Sequence, residues 1–355
     1  LPEPTISPNA DTQADDYFGT LTYIGNGTDS NSTQNIRVGG TNVVGDIDFK
    51  PDWVWIKSKS NTSNHILTDS TRLAGNVLFS NLTNDEADNT AFFTSFETNG
   101  FNLAQNGGDT NANGYTYVAW NWKANGGTTS TNDDGSIQST VQANTTAGFS
   151  IVTYTGTGSA ITVGHGLGTT PDMFIVKRRN GTSGWATFHK DLTDATQYIQ
   201  VNDTGGQSTG NNVWNQTDPT STVFTVGTDL SVNTGTYVAY CFAEIEGYSK
   251  FGKYAGNGNA DGTFVFTGFR PAMVIIKQTN STNNWRIIDN ERDGYNGSTK
   301  VLYPSVDNAE GSEVGADLVS NGFKLRADTA GTNASGGTFI YMAFAEAPFK
   351  YANAR

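Results

Sequence analysis

Pro51-Asp52-Trp53-Val54-Trp55-Ile56-Lys57 returns twice, as Pro171-Asp172-Met173-Phe174-Ile175-Val176-Lys177 and as Pro271-Ala272-Met273-Val274-Ile275-Ile276-Lys277. The copies stand 120 and then 100 residues apart, the span of a small domain and far more than the period of a solenoid. Other landmarks keep this register. Each lysine is followed eight residues later by a ring: His65, Trp185 or Trp285. Tyr-x-Gly-x-Gly begins at Tyr23, Tyr154 and Tyr254. It lies 17 residues before the proline in copies two and three and 28 before it in copy one, which places an insertion around Asp29 to Gly40. Thr-aromatic-Val/Ile begins at Thr116, Thr236 and Thr338, which is 65, 65 and 67 residues after the proline. Duplication of one unit accounts for all of these spacings.

The Pro-led run is apolar at nearly every position, as a central strand covered on both faces would be. The Thr-aromatic run alternates instead. Val118, Trp120 and Trp122 correspond to Val238, Tyr240 and Phe242 and to Ile340, Met342 and Phe344, with small or polar residues between them. A side-chain period of two assigns the large set to a core and the small set to a neighbouring layer or solvent. Thr, Ser, Asn and Gly crowd the intervals, and repeated Asn-Gly pairs supply hairpin turns. The class is therefore all-β, with three tandem antiparallel β-sandwich modules, jelly-roll or concanavalin-like, of about 100–110 residues each. The expected divisions are an extended N-terminal arm (1–16), module one (17–124), a Gly/Thr/Ser/Asn-rich linker (125–146), module two (147–248), module three (249–349) and a C-terminal tail (350–355). The linker holds one short strand candidate, Ser136 to Val141. Glu244 to Lys250 joins modules two and three directly, so these two are expected to pack as a rigid pair.

The formal net charge is −13 and the pI about 4.5, which opposes attraction to nucleic acid or anionic lipid. Cys241 is the single cysteine, so no internal disulfide framework exists. No apolar run has the length of a membrane span, and no membrane insertion is expected. The start, Leu1-Pro2-Glu3-Pro4, has neither Met nor a signal peptide and is expected to be a cleavage product or the edge of an ordered region.

Each candidate for chemistry has a plainer structural role beside it. His165 lies among glycines, in Gly164-His165-Gly166-Leu167-Gly168, and reads as a turn residue. His189 has no histidine partner in copy three, where Asp289 and Asn290 stand. Glu244 and Glu246 share a strand face, as a glycosidase pair would, but nothing in copy three matches Glu246. They read as charge at a strand end. The common hydrolase, zincin and nucleotide signatures are missing, so no catalytic residue and no enzymatic activity are expected. Asp109 to Gly114 and Asn257 to Gly262 begin like calcium loops. The twelfth positions hold Trp120 and Gly268 where a bidentate Glu belongs, so Ca2+ is only weakly signalled and no metal ligand is assigned. Trp185, Trp285 and His65 are the ligand-binding candidates: the two tryptophans follow the polar loops Asn180 to Gly184 and Asn280 to Asn284, and an indole beside polar groups suits sugar stacking. The competing role is a hairpin ring closing one end of the core. Asn-x-Ser/Thr sequons run from Asn26 to Asn333, as this composition alone would produce.

Phe18 to Lys123 with its Lys50 to Lys57 stretch, Gly164 to Pro171, Tyr237 to Glu244 and the ending Pro348 to Arg355 together resemble a family of uncharacterised repeated domains. Those domains occur in virion proteins of marine bacteriophages, often labelled tail-fibre or tail proteins. The resemblance implies a non-enzymatic structural or adhesive component located in the virion, and no functional residue carries over from it. The expected function is a tail-fibre or receptor-binding appendage, a homo-oligomer on the particle that contacts other virion proteins or host-surface glycan. A capsid decoration or head-fibre protein without a receptor is the alternative, and a polysaccharide depolymerase is the enzymatic one.

Overall fold

A computed structural model describes residues 4–7, 12–28, 33–89, 92–104, 107–293, 297, 299–313 and 315–346. The expected tail 350–355 and parts of the N-terminal arm and of the copy-one insertion lie outside the described residues. Nearly all regular structure is antiparallel β. Among the described residues no helix is long and apolar enough to cross a membrane.

Each copy places four strands in one order: an opening strand, the Thr-aromatic closing strand, the Pro-led strand and its hairpin partner. In copy one these are Phe18–Ile24, Thr116–Trp122, Trp53–Ser58 and Ile66–Asp69. In copy two they are Phe149–Thr155, Thr236–Phe242, Met173–Arg178 and Trp185–His189. In copy three they are Ser249–Ala255, Thr338–Ala345, Pro271–Gln278 and Arg286–Asp289. The registers agree residue for residue. Trp120 stands between Thr20 and Trp55, Tyr240 between Ile151 and Ile175, and Met342 between Phe251 and Ile275. The Pro-led strands are buried on both faces, as their unbroken apolar runs require.

A smaller outer layer covers one face of each sheet. It consists of Thr33–Arg37, Gly100–Ala104 and Phe93–Glu97 in copy one, Ile161–Gly164 and Val223–Val226 in copy two, and Phe264–Phe266, Gly322–Leu325 and Ala316–Val319 in copy three. The small-residue face of the closing strand lies against this layer. Ala119 joins Leu21, Val54, Ile56 and Phe101 in one cluster, and Ala239 joins Val152, Phe174, Val176 and Phe224 in another.

The large-residue face turns the other way, and here the expected packing is corrected. Trp53, Trp120 and Trp122 of copy one, Phe149, Tyr240 and Phe242 of copy two and Phe251, Met342 and Phe344 of copy three belong to one continuous core. Trp53 stacks on Tyr240 with centroids 4.4 Å apart, and Phe344 meets Trp122 at 5.7 Å and Phe242 at 6.0 Å. Three sheets thus face one pseudo-threefold axis filled with aromatic rings, each pair adding about 0.5–1.5 kcal/mol beyond its buried area. Copies two and three pack together as expected, and copy one packs with them.

Two further segments join the block. The 125–146 segment holds two strands where one was expected, Ser130–Asn132 and Ser139–Asn144, and the latter pairs with the opening strand of copy two. Ser130–Asn132 forms the edge of that sheet, and Ser139–Asn144, second from the edge, buries Val141 on one face and Gln142 on the other. The N-terminal arm is tied to the block at Ile6, which is buried in the shared core.

Candidate functional site

The polar loop after each Pro-led strand hooks onto a different copy. In copy two, the Ser183 amide donates to the Thr83 carbonyl at 2.9 Å, and the Glu86 amide donates back to the Arg179 carbonyl at 2.8 Å. Copy three repeats the exchange on copy two, through Asn283 to Thr204 (2.8 Å) and Gln207 to Thr279 (2.7 Å). Copy one closes the ring on copy three, through Ser63 to Asp307 and Glu310 to Lys59, both 2.9 Å. Three equivalent seams therefore join one chain into a closed ring.

The recurrent lysine fastens two of the seams directly. The Lys177 ammonium donates to the Thr83 carbonyl (3.1 Å) and the Ser183 carbonyl (3.0 Å), and Lys277 donates to Thr204 (2.8 Å) and Asn283 (2.6 Å). Lys57 turns onto its own loop, at the Ser58 (2.7 Å) and Asn61 (3.3 Å) carbonyls, within the field of Asp109, Asp307 and Glu310. All three are buried, and burial brings each pKa down to about 8.

The three expected ligand-binding rings lie in the same seams. Trp185 and Trp285 are 1% and 3% exposed and His65 is fully buried, so none offers a face to a soluble glycan. The Trp185 indole N–H donates across the seam to the Phe79 (2.9 Å) and Leu82 (3.2 Å) carbonyls, and that of Trp285 to the Gln200 carbonyl (2.8 Å). His65 Nδ1 accepts from the Trp55 indole at 2.9 Å, and burial keeps its pKa well below the ordinary range, so the ring is neutral. The loops that precede the tryptophans are polar as the sequence indicated, while the rings fold inward beneath them.

A second polar set crosses the seams nearer the axis. Asp69, His189 and Asp289 are register equivalents, opposite Trp53, Met173 and Met273. Asp69 accepts from the Tyr240 hydroxyl at 2.7 Å, Asp289 accepts from the Trp120 indole at 3.0 Å, and His189 Nε2 lies 3.2 Å from the Tyr341 carbonyl. Each reaches the next copy around the ring. Asp69 and Asp289 also hold Arg72 (2.5 Å) and Arg292 (2.6 Å), whose guanidiniums continue to Glu86 and Glu310. Burial takes the His189 pKa to about 4, and with the proton on Nε2 its Nδ1 accepts from the Asp191 amide at 3.1 Å.

Other candidates are held in place by local bonds. His165 Nδ1 accepts from the Leu167 amide at 3.2 Å and its Nε2 lies 3.1 Å from the Thr220 carbonyl, which is the turn role expected for it. Burial raises the Glu244 pKa, but bonds from Lys250 and Lys190 outweigh it and hold the carboxylate below its usual range. Asp109 accepts from the Asn64 amide at 2.7 Å, and Asp261 pairs with Lys324 at 2.7 Å. Among the described residues no group of three or more His, Cys, Asp or Glu side chains is placed to hold a metal.

Sequence reasoning missed a repeated buried asparagine. Asn111, Asn233 and Asn333 are fully buried and accept through Oδ1 from the amides of Asn26 (3.1 Å), Thr157 (2.7 Å) and Asn257 (3.0 Å). The carbonyls just before them, Thr110, Val232 and Thr332, take the hydroxyls of Tyr23, Tyr154 and Tyr254. That is the physical content of Tyr-x-Gly-x-Gly. A Cβ on Gly156 would lie 2.8 Å from the Asn233 backbone, so only glycine fits there. Asparagine is so frequent in this chain that three instances drew no notice.

The chain belongs to the family described as a domain of unknown function, DUF7483, whose model matches residues 13–348 and so includes all three sheets. No curated protein matches the chain.

Proposed function

We propose that the chain is a non-enzymatic structural or adhesive protein of a phage particle, a tail-fibre or receptor-binding appendage built as a rigid three-sided block. One observation carries this proposal. Most of the repeated polar residues that could have served chemistry, Lys177, Lys277, Trp185, Trp285 and the Asp69, His189 and Asp289 set, bond across the seams, while Lys57 and His65 are buried in bonds within copy one. Rigidity is what that closure supplies. With Trp185, Trp285 and His65 inside, contact with host glycan or with neighbouring subunits falls to the outer layers and their Asn- and Gly-rich turns, where many weak contacts gain strength from copies on one particle. The resemblance of the repeats to marine phage virion domains supports the same assignment.

Gold-labelled antibody against the purified chain, applied to intact particles, tests the proposal. Label on a tail appendage supports it, and label on the head favours the decoration alternative. Absence of the polypeptide from purified particles overturns both. Incubation with host polysaccharide should release no new reducing ends.

A further inference from the structure

The three outer layers are equivalent in position but differ at their edges. Val163 and Val265 stand opposite Phe224 and Phe323, which meet Tyr154 and Tyr254 edge-on at 6.1 and 6.0 Å. This register equates Thr162 with Phe264 and Gly164 with Phe266. In copy two the outer edge of Ile161–Gly164 is covered by the chain's own crossover. Ile137 forms a parallel bridge to Val163, the Ser136 amide donates to the Thr162 carbonyl at 3.1 Å, and the Thr162 amide donates to Ser136 Oγ at 2.9 Å. Ser139 Oγ then donates to the Gly164 carbonyl at 2.8 Å. In copy one, the Arg37 carbonyl is taken by the Gly40 amide at 2.9 Å where the chain turns back.

Copy three has a short direct junction in place of the long crossover. Thr267 and Leu325 donate to Asn321 (3.0 Å) and Thr263 (3.0 Å), which directs the amides and carbonyls of Phe264 and Phe266 away from Gly322–Leu325. Among the described residues nothing hydrogen-bonds that outer edge. The same two residues are 44% and 61% exposed, so an unpaired backbone edge and two outward phenyl rings coincide. Such edges are ordinarily blunted by charge, proline or a cover, and copy two displays the cover that fits.

We infer that Phe264–Phe266 is a strand-addition site for an extended segment of a partner protein, which lies parallel to it as Ser136 to Ser139 lies along Ile161–Gly164. The partner segment supplies a hydroxyl residue to the Phe264 backbone and a β-branched apolar residue beside Val265, and its outward side chains pack on the two phenyl rings. The inference deepens the proposed function, on which it rests, by naming the contact through which the block meets a neighbouring subunit.

The probe is a synthetic peptide of residues 133–142, the chain's own cover, titrated onto the full chain by fluorescence anisotropy. Saturable binding is expected, weakened at least tenfold by Phe266→Pro, which removes an outward amide without breaking a bond to Gly322. A peptide N-methylated at the Ser136 amide should bind equally poorly, and this control does not depend on the folding of a variant. No binding at millimolar peptide, or binding indifferent to both changes, overturns the inference. Self-association of the wild-type chain in sedimentation that Phe266→Pro abolishes would also overturn it, since a second copy would then be the occupant. Location on the particle is read separately, so failure of the edge leaves the proposed function standing.

Discussion

Replacing Trp185 distinguishes a seam from a sugar platform. The indole is almost wholly buried, and its N–H satisfies two carbonyls of copy one, Phe79 at 2.9 Å and Leu82 at 3.2 Å. Trp185→Ala removes the ring and leaves a cavity at the seam, which costs about 3–5 kcal/mol. Trp185→Phe keeps most of the apolar volume but leaves the Leu82 carbonyl without its donor, while the Phe79 carbonyl keeps the Leu82 amide, at about 1–3 kcal/mol. Trp285→Phe removes one of two donors to the Gln200 carbonyl, which keeps the Asp203 amide at 3.3 Å, and should cost less, about 0.5–1.5 kcal/mol. Urea unfolding followed by tryptophan fluorescence and by circular dichroism measures these costs. The seam predicts that one midpoint moves for the whole chain in both probes, because the ring opens as a unit. If Trp185→Ala leaves the midpoint unchanged and abolishes binding to a glycan instead, the assignment of the ring to the seam is refuted.

Stability should rise with pH between about 8 and 10. Burial lowers Lys57, Lys177 and Lys277 to about 8 in the folded state, against about 10.4 in the unfolded chain. The unfolded state then holds more protons across that window, and unfolding becomes harder as pH increases, by at most about 3 kcal/mol per lysine. Urea midpoints at pH 7.5 and 9.5 check the sign, and Lys277→Met should remove about a third of the rise. Above about pH 10 the buried tyrosines reverse the trend, since their folded pKa values are raised and the unfolded state ionises first. Arg72→Met leaves the Asp69 carboxylate buried beside Tyr240 and should cost about 3–5 kcal/mol in thermal or urea unfolding, part of it recovered by adding Asp69→Leu. Cys241 is buried and burial pushes its thiol pKa up. It should react with a disulfide reagent only through global opening, at rates that Trp185→Phe and Trp285→Phe both accelerate.

The two faces of each closing strand were legible because side-chain size alternates with the pleat. Val118, Trp120 and Trp122 against Ala119 and Asn121 could mean little else. The strand order was not legible, since nothing in the repeat spacings says which strands pair, and neither was what lay opposite the large face. Apolar area is non-directional, and rings suited to a sandwich interior are equally suited to a shared axis among three sheets. The loops before Trp185 and Trp285 are polar as their sequence shows, but a loop's polarity says nothing of where the next side chain turns. Lys57, Lys177 and Lys277 served as register marks only, because a lysine is rarely buried unless carbonyls receive it, and two of those carbonyls, Thr83 and Thr204, lie in another copy. Gly, Thr, Ser and Asn between 125 and 146 looked like a linker because Ser130–Asn132 and Ser139–Asn144 carry few apolar residues, their buried positions being filled in part by Ser139 and Gln142.

Scanning calorimetry of the whole chain tests the shared axis most directly, since three sheets around one core and three closed seams must melt together. One transition is expected, with van't Hoff and calorimetric enthalpies equal. Two or three separable transitions, or a fragment of residues 147–248 that melts alone at the temperature of the intact chain, would contradict it.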